Sequence, residues 1–156
     1  AFGRPNDLVV SRKGGIYLSM DISNGDYTQA EGPKRGELEE FLRKDREIAE
    51  TQRENFRKAV RLGVKLTFGT DAGVYPHGDN AKQLAYMVRY GMTPMQAIQA
   101  ATLNGADALG LKDQTGALAT GLAADIIAVK RDPLEDIRAL EQVDFVMKAG
   151  QVYKQQ

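Results

Sequence analysis

Apolar side chains along this chain switch between two periods. In Val64-Lys65-Leu66-Thr67-Phe68 they occupy every second residue, the spacing of a half-buried strand, and small Gly69 and Thr70 follow where such a strand opens into a pocket. Between residues 37 and 62, Leu38, Phe41, Leu42, Ile48, Ala49, Phe56, Ala59 and Val60 recur at three- and four-residue steps, which predicts one long amphipathic helix ending at Gly63. Its many charges read as a solvated outer face, and the heptad is not sustained enough for a coiled coil. Upstream, Ile16-Tyr17-Leu18-Ser19-Met20-Asp21-Ile22 reads as a buried strand, followed by the turn-rich Ser23-Asn24-Gly25-Asp26-Tyr27. Residues 1–15 read as polar and irregular, with turns at Gly3, Pro5, Asn6 and Asp7 and only a brief apolar run from Leu8 to Val10.

The second half is richer in punctuation. Asp79 or Asn80 is predicted to cap a helix with Ala81, Leu84, Ala85 and Val88 on one face, stopped at Gly91. Thr93-Pro94-Met95-Gln96 combines an N-cap, a first-turn proline and a capping-box glutamine, so a second helix starts there and runs to Ala101 or Thr102. A shorter helix is expected over residues 104–109, both packing under the strand of residues 64–68. Met87, Met92 and Met95 read as gap-filling core or interface positions. A loop over residues 116–121 leads to Asp125-Ile126-Ile127-Ala128-Val129, predicted as a buried strand, and Asp132-Pro133 turns the chain. Residues 143–148 and 151–153 flank Ala149-Gly150 as a terminal hairpin.

Composition narrows the function classes. At 156 residues, 42% hydrophobic and 27% charged, the chain is long enough for one modest core. Basic and acidic residues balance at 21 each, so no polyanionic partner is implied, and no basic stripe with interleaved aromatics supports nucleic-acid binding. The absence of cysteine excludes disulfides and thiolate metal sites but leaves the compartment open. No apolar run approaches the ~20 residues of a membrane span.

Chemistry concentrates in Gly69-Thr70-Asp71-Ala72-Gly73-Val74-Tyr75-Pro76-His77-Gly78, where a carboxylate follows the apolar strand and the single histidine comes six residues later. Enzymes of the α/β class carry their chemistry at this end of a strand. A carboxylate there can hold a divalent cation through one oxygen and accept a proton from activated water on the other. His77, on a Gly- and Pro-rich loop, is suited to orienting a substrate carbonyl or carboxylate. Read plainly, Asp71 is also a turn former or helix cap and His77 a hydrogen-bonded histidine without a ligand role. Tyr27 is a candidate substrate contact on the same face, or a loop tyrosine covering apolar surface; Asp21 is at most a polar group at the rim.

The segment GVKLTFGTDAGVYPHGDNAKQLAYMVRYGMTPMQAIQAATLNGADALGL, followed by GLAADIIAVKRDPLEDI and VDFVMKAGQVY, resembles the C-terminal part of the metal-dependent amidohydrolases. Within them it is similar to the branch of imidazolonepropionase-like prolidases and carboxypeptidases that includes ochratoxin-degrading amidases. The resemblance runs from about Gly15 to the C-terminus. It implies an α/β fold: the C-terminal part of a TIM-like (β/α)8 barrel plus strands of a small β-sandwich. The expected divisions are an irregular segment over 1–15, the last two β/α units with additional helices over 16–110, and sandwich strands over 111–156. Residues 16–22 and 64–68 become barrel strands seven and eight. Asp71 is implied to bind the metal centre and shuttle a proton, with His77 near the substrate. The family also uses a His-x-His pair, a bridging carboxylated lysine and two further histidines, and one histidine in total cannot provide them.

The chain therefore reads as about the last third of a binuclear zinc enzyme hydrolysing an amide or peptide bond. The substrate class is a dipeptide, an Xaa-Pro or C-terminal amino acid linkage, or an N-acyl amino acid. Alone, the chain is expected to be inactive. A catalytically incomplete module for assembly or small-ligand binding is the alternative. Its strands would leave unpaired edges, which implies association with the missing N-terminal part of the barrel or a homo-oligomer.

Overall fold

The computed structural model describes residues 7–10, 16–19, 39–70 and 78–156. Two three-stranded sheets appear. In the first, β1 (Asp7–Val10) pairs antiparallel with β2 (Ile16–Ser19), and β2 pairs parallel with β3 (Leu66–Thr67), Leu18 lying opposite Leu66. Residues 1–15 thus contain a strand where the local pattern predicts none. Three apolar residues are too few to reveal a period, and β1 exists because β2 offers it a partner.

Parallel neighbours need a long crossover, and the helix α1 (Glu39–Arg61) lies within it. Phe56 and Ala59 are buried from this helix, with Val60 beside them. Ile48, read from sequence as part of the apolar stripe, is 55% exposed because the buried line runs through Ala49 instead. Along the outer face, ion pairs link Arg43 with Glu47, Arg46 with Glu39, and Glu50 with Arg53 and Arg57. Such exposed pairs add little stability. At the C-terminus Gly63 donates to Val60 O and Val64 to Ala59 O, both at 3.0 Å, and Gly63 takes φ +68°. This left-handed cap satisfies two end carbonyls and reverses the chain straight into β3.

The next helices close over β3. α2 (Lys82–Arg89) buries Gln83, Leu84 and Met87, and Gly91 ends it with the same two-bond cap as Gly63. α3 (Pro94–Ala101) starts as its sequence predicts: Gln96 N–H donates to Thr93 Oγ1 at 3.2 Å, and Thr93 N–H to Gln96 Oε1 at 2.8 Å. α4 (Leu103–Ala108) follows. Phe68 N–H donates to Ala100 O at 3.1 Å and Asn104 Nδ2 to Leu66 O at 2.9 Å, so both helices are tied to the strand's backbone as well as packed on its side chains. Phe56, Leu66, Leu84, Met87, Met92 and Ile137 meet in one core. Met95, read as core or interface, is 45% exposed. Tyr90, almost wholly buried, stacks near Tyr86 and carries the guanidiniums of Arg53, Arg57 and Arg89 at 5.1 to 5.5 Å from its ring centre, joining α1 to α2 through cation–π contact.

The second sheet is an antiparallel meander of β4 (Ile126–Ala128), β5 (Phe145–Lys148) and β6 (Gln151–Gln155), with an irregularity between Val146 and Met147. A 3₁₀ turn (Ile137–Glu141) between β4 and β5 seats Ile137 against α2. Before it, hydrogen bonds from Arg138 pull the Asp136 carboxyl below its ordinary range. β4 is apolar as predicted but not buried: Ile127 is 54% exposed, because no described residue covers it.

The β5–β6 turn is the two residues Ala149-Gly150, with φ +49° and +80°. Ala149 N–H donates to Asp125 Oδ1 at 2.8 Å and Gly150 N–H to Ala124 O at 3.1 Å, so the residues just before β4 hold the turn. A left-handed alanine costs about 1–2 kcal/mol relative to a relaxed residue, and turns of this shape favour Asn-Gly. Ala149→Asn is therefore expected to stabilise the protein by roughly 1 kcal/mol, read as a higher urea midpoint at unchanged slope.

Candidate functional site

β3 delivers the chain to Phe68, Gly69 and Thr70 at its C-terminal end, the end at which parallel α/β sheets carry their sites. Asp71, His77 and Tyr27, the three residues singled out by sequence, lie outside the described residues. The structure defines the frame around the first two. Thr70, directly before Asp71, is 8% exposed, and Gly78, directly after His77, precedes the first turn toward α2.

Two amide side chains from the start of α2 reach back to this frame. Asn80 Nδ2 donates to Thr70 Oγ1 at 3.0 Å, while Asn80 Oδ1 accepts from Gly78 N–H at 3.3 Å. Gln83, buried one turn on, donates from Nε2 to Gly69 O at 3.5 Å. Neither Asp79 nor Asn80 caps α2 as its sequence predicts: Ala81 occupies the cap position with no side-chain bond. The chain instead enters the helix through tight backbone bonds, Lys82 N–H to Asp79 O at 3.0 Å and Gln83 N–H to Asn80 O at 3.2 Å. That geometry leaves the Asp79 carboxylate for Lys82 Nζ at 2.9 Å and the Asn80 carboxamide for the strand end.

Sequence reasoning missed Asn80 and Gln83 as site-framing residues. One signal was present: Gln83 shares a helical face with Met87, four residues on, so a polar amide lies in line with the buried stripe. What it would bond to could not be read locally, since Gly69 lies fourteen residues back.

Among the described residues, no group of three or more His, Cys, Asp or Glu is arranged to hold a metal ion. The whole chain has one histidine and no cysteine, whereas a catalytic zinc takes three protein ligands besides water. The described residues therefore do not fit a zinc centre of their own. No described helix is long and apolar enough to cross a membrane.

A parallel strand pair whose crossover contains a helix, with further helices packed against the returning strand, is a piece of an α/β fold, and a carboxylate-bearing motif follows the strand's C-terminal end in sequence. The chain belongs to the amidohydrolase family, whose pattern it matches over residues 4–153. It is 36% identical over 151 residues to ochratoxinase of Aspergillus niger, an alignment covering 94% of this chain and 31% of that protein. Over 84 residues it is 39% identical to imidazolonepropionase of Deinococcus deserti, covering 52% of this chain and 21% of that one. Among solved structures it resembles a Xaa-Pro dipeptidase with methionine bound in its active site, at 42% identity and a TM-score of 0.82, covering 91% of this chain and 35% of the dipeptidase. The chain thus spans about a third of the length of these full-coverage relatives.

The Asp79 hydrogen bond raises the Lys82 pKa above its ordinary value, against a smaller opposing effect of burial. A raised lysine contributes its stabilisation fully below the unfolded pKa and loses it as pH climbs through the higher folded value. The tether beside Gly78 is thus intact at neutral pH and is lost on the alkaline side as pH climbs through the raised lysine value. Following the Lys82 side-chain carbons by NMR should give a titration above the usual lysine value, which falls back to it in Asp79→Asn.

Proposed function

We propose that this chain is the C-terminal part of a metal-dependent amidohydrolase that cleaves an amide or peptide bond in a small substrate. The substrate class is a dipeptide, an Xaa-Pro or C-terminal amino acid linkage, or an N-acyl amino acid. The observation that carries this is the likeness, across nine-tenths of the chain, to the Xaa-Pro dipeptidase, with Gly69-Thr70 leading into Asp71 from the C-terminal end of the second parallel strand. Similarity to ochratoxinase supports the wider amide class.

In this proposal Asp71 takes the proton from the attacking water and delivers it to the leaving amine nitrogen as the carbon–nitrogen bond breaks and a carbon–oxygen bond forms. His77 orients the substrate's carbonyl or carboxylate, and Tyr27 covers its side chain. A divalent ion, zinc first and two ions in the whole enzyme, would supply Lewis acidity when bound, and Asp71 is the residue of this chain that would help to hold it. Asp71 itself lies outside the described residues, and with one histidine in the chain the further ligands would come from the rest of the enzyme.

The partner in this reading is the remaining two-thirds of the amidohydrolase fold. Its support is a groove of about 830 Å³ between α3, α4, the loop around Leu118 and β4. Leu103, Leu109, Leu118 and Ile127 line it and are all substantially exposed. The single histidine of the chain favours, as a second reading, a catalytically incomplete module for assembly or small-ligand binding.

In the intact protein, Asp71→Asn is expected to lower kcat for dipeptide hydrolysis by about 10²–10⁴-fold, the usual worth of general acid–base catalysis, at unchanged melting temperature. Wild-type turnover in that variant would remove Asp71 from the mechanism. Leu118→Asp in the same protein should cost more than ~2 kcal/mol of stability if the groove is covered, against about ±0.5 kcal/mol for a solvent-facing site. A neutral effect would leave the groove open, and a melting temperature that rises with protein concentration would put a second copy there instead.

A further inference from the structure

Gly105 is a glycine that its own backbone does not require. It lies inside α4, takes no positive φ, and a Cβ built on it would meet only Ala100 O at 3.7 Å, an ordinary contact. Alanine would therefore fit, and would favour the helix, because a helical glycine lowers stability relative to alanine. What glycine does supply is open access to its own amide nitrogen, and the residue before it is Asn104. Of the five asparagines in the chain, Asn24 and Asn104 precede glycine, and of these two Asn104 is the one among the described residues. Its carboxamide ties α4 to β3, Nδ2 donating to Leu66 O at 2.9 Å. A carbonyl only accepts, so the nitrogen of the carboxamide faces it. Asn104 also lines, with Lys65, Gln96 and Gln99, a cavity of about 180 Å³, roomy enough to admit water.

We propose that Asn104-Gly105 is a self-modification site, at which a carboxamide hydrolyses to a carboxylate when α4 lifts from β3. In the first step the Gly105 amide nitrogen gives its proton to hydroxide and attacks Asn104 Cγ. The new carbon–nitrogen bond closes a cyclic imide; the Cγ–Nδ2 bond breaks, and ammonia leaves with a proton taken from water. A water molecule then opens the imide at either carbonyl, leaving aspartate or the isomer whose main chain runs through the side-chain carbonyl. The balance is one water consumed and one ammonia released. The fold opposes the first step twice. In the helix, Gly105 N–H points along the axis rather than toward the preceding side chain, and the bond to Leu66 O holds the carboxamide in place. Reaction therefore proceeds through local opening. The product cannot restore the tie, since an ionised aspartate only accepts and Leu66 O is left facing a second acceptor. Lys65 lines the same cavity and already pairs with Asp107 at 3.2 Å, so it is the cation to which the new carboxylate would turn. Each conversion is a one-way loss of the tie between helix and strand.

The test is peptide mapping by mass spectrometry after the intact protein has aged in heavy-oxygen water. Samples are held folded at neutral and mildly alkaline pH, in urea below the unfolding midpoint, and fully unfolded, with Gly105→Ala and Asn104→Asp beside the wild type. In the unfolded chain Asn24-Gly25 is the internal reference, because local sequence alone sets both rates there. The expected result is heavy oxygen incorporated at residue 104 with the mass change of amide to acid, as a mixture of aspartate and its isomer. Labelling should be at least about tenfold slower folded than unfolded, as the cost of opening dictates, and should speed up with pH and in the lower urea. Gly105→Ala should slow it even when unfolded, at an equal or higher urea midpoint. Asn104→Asp, which carries the product side chain from the start, should unfold at lower urea than wild type. An Asn104 that stays unlabelled in the unfolded chain while Asn24 reacts would overturn the proposal. So would equal rates folded and unfolded, equal rates in wild type and Gly105→Ala, or an Asn104→Asp variant as stable as wild type.

Discussion

The alignment of Leu18 beside Leu66 in a parallel pair constrains most of the remaining architecture. No tight turn can join such strands, so the chain must leave the sheet and return across its face, and α1 lies on that excursion. Having crossed, α1 must bury one stripe. Phe56 and Ala59 provide it, and the glycine cap at Gly63 returns the chain into β3 within three residues. Leu66 then becomes a meeting point: its side chain is 2% exposed in the core, its partner strand lies on one side, and its carbonyl takes the Asn104 amide from α4. Because α3 and α4 are bonded to the backbone of the β3 segment, the end of that strand is held firmly where the Gly69-Thr70-Asp71 motif begins.

How much of this was legible in the sequence depends on how local each cause is. The start of α3 is written in four consecutive residues, and its reciprocal bonds are those the pattern predicts. The Gly63 and Gly91 stops and the Ala149-Gly150 hairpin are equally local. β1 was not legible, since its four residues become a strand only by pairing with β2. Nor was the use of Asn80, which looks like a helix cap in sequence and acts ten residues back on Thr70 in space. The exposure of Ile127 was missed for a different reason: an apolar strand predicts burial, but burial needs a covering layer that the described residues lack. Of the site itself, the motif was readable and its frame was not.

The division of work at the strand end is also chemical. The ionisable Asp71 and His77 lie within the motif in sequence, while neutral amides bond to the residues that flank them. Amides suit that task because they bond through both polarities and carry no net charge to disturb a neighbouring carboxylate. The nearby ion pair of Asp79 with Lys82 is satisfied internally and adds no net charge to the strand end. Membership of the amidohydrolase family gives this arrangement its setting, with the chain covering about a third of its relatives' length.

The ring of Tyr90 gathers three guanidinium groups, two of which also lean on Glu50. Three like charges around one aromatic ring repel one another, and the Glu50 carboxylate, paired with two of them, offsets that repulsion. The seam between the crossover helix and its neighbour is thus gathered at one point, where a single ring and a single carboxylate share the same two guanidinium groups.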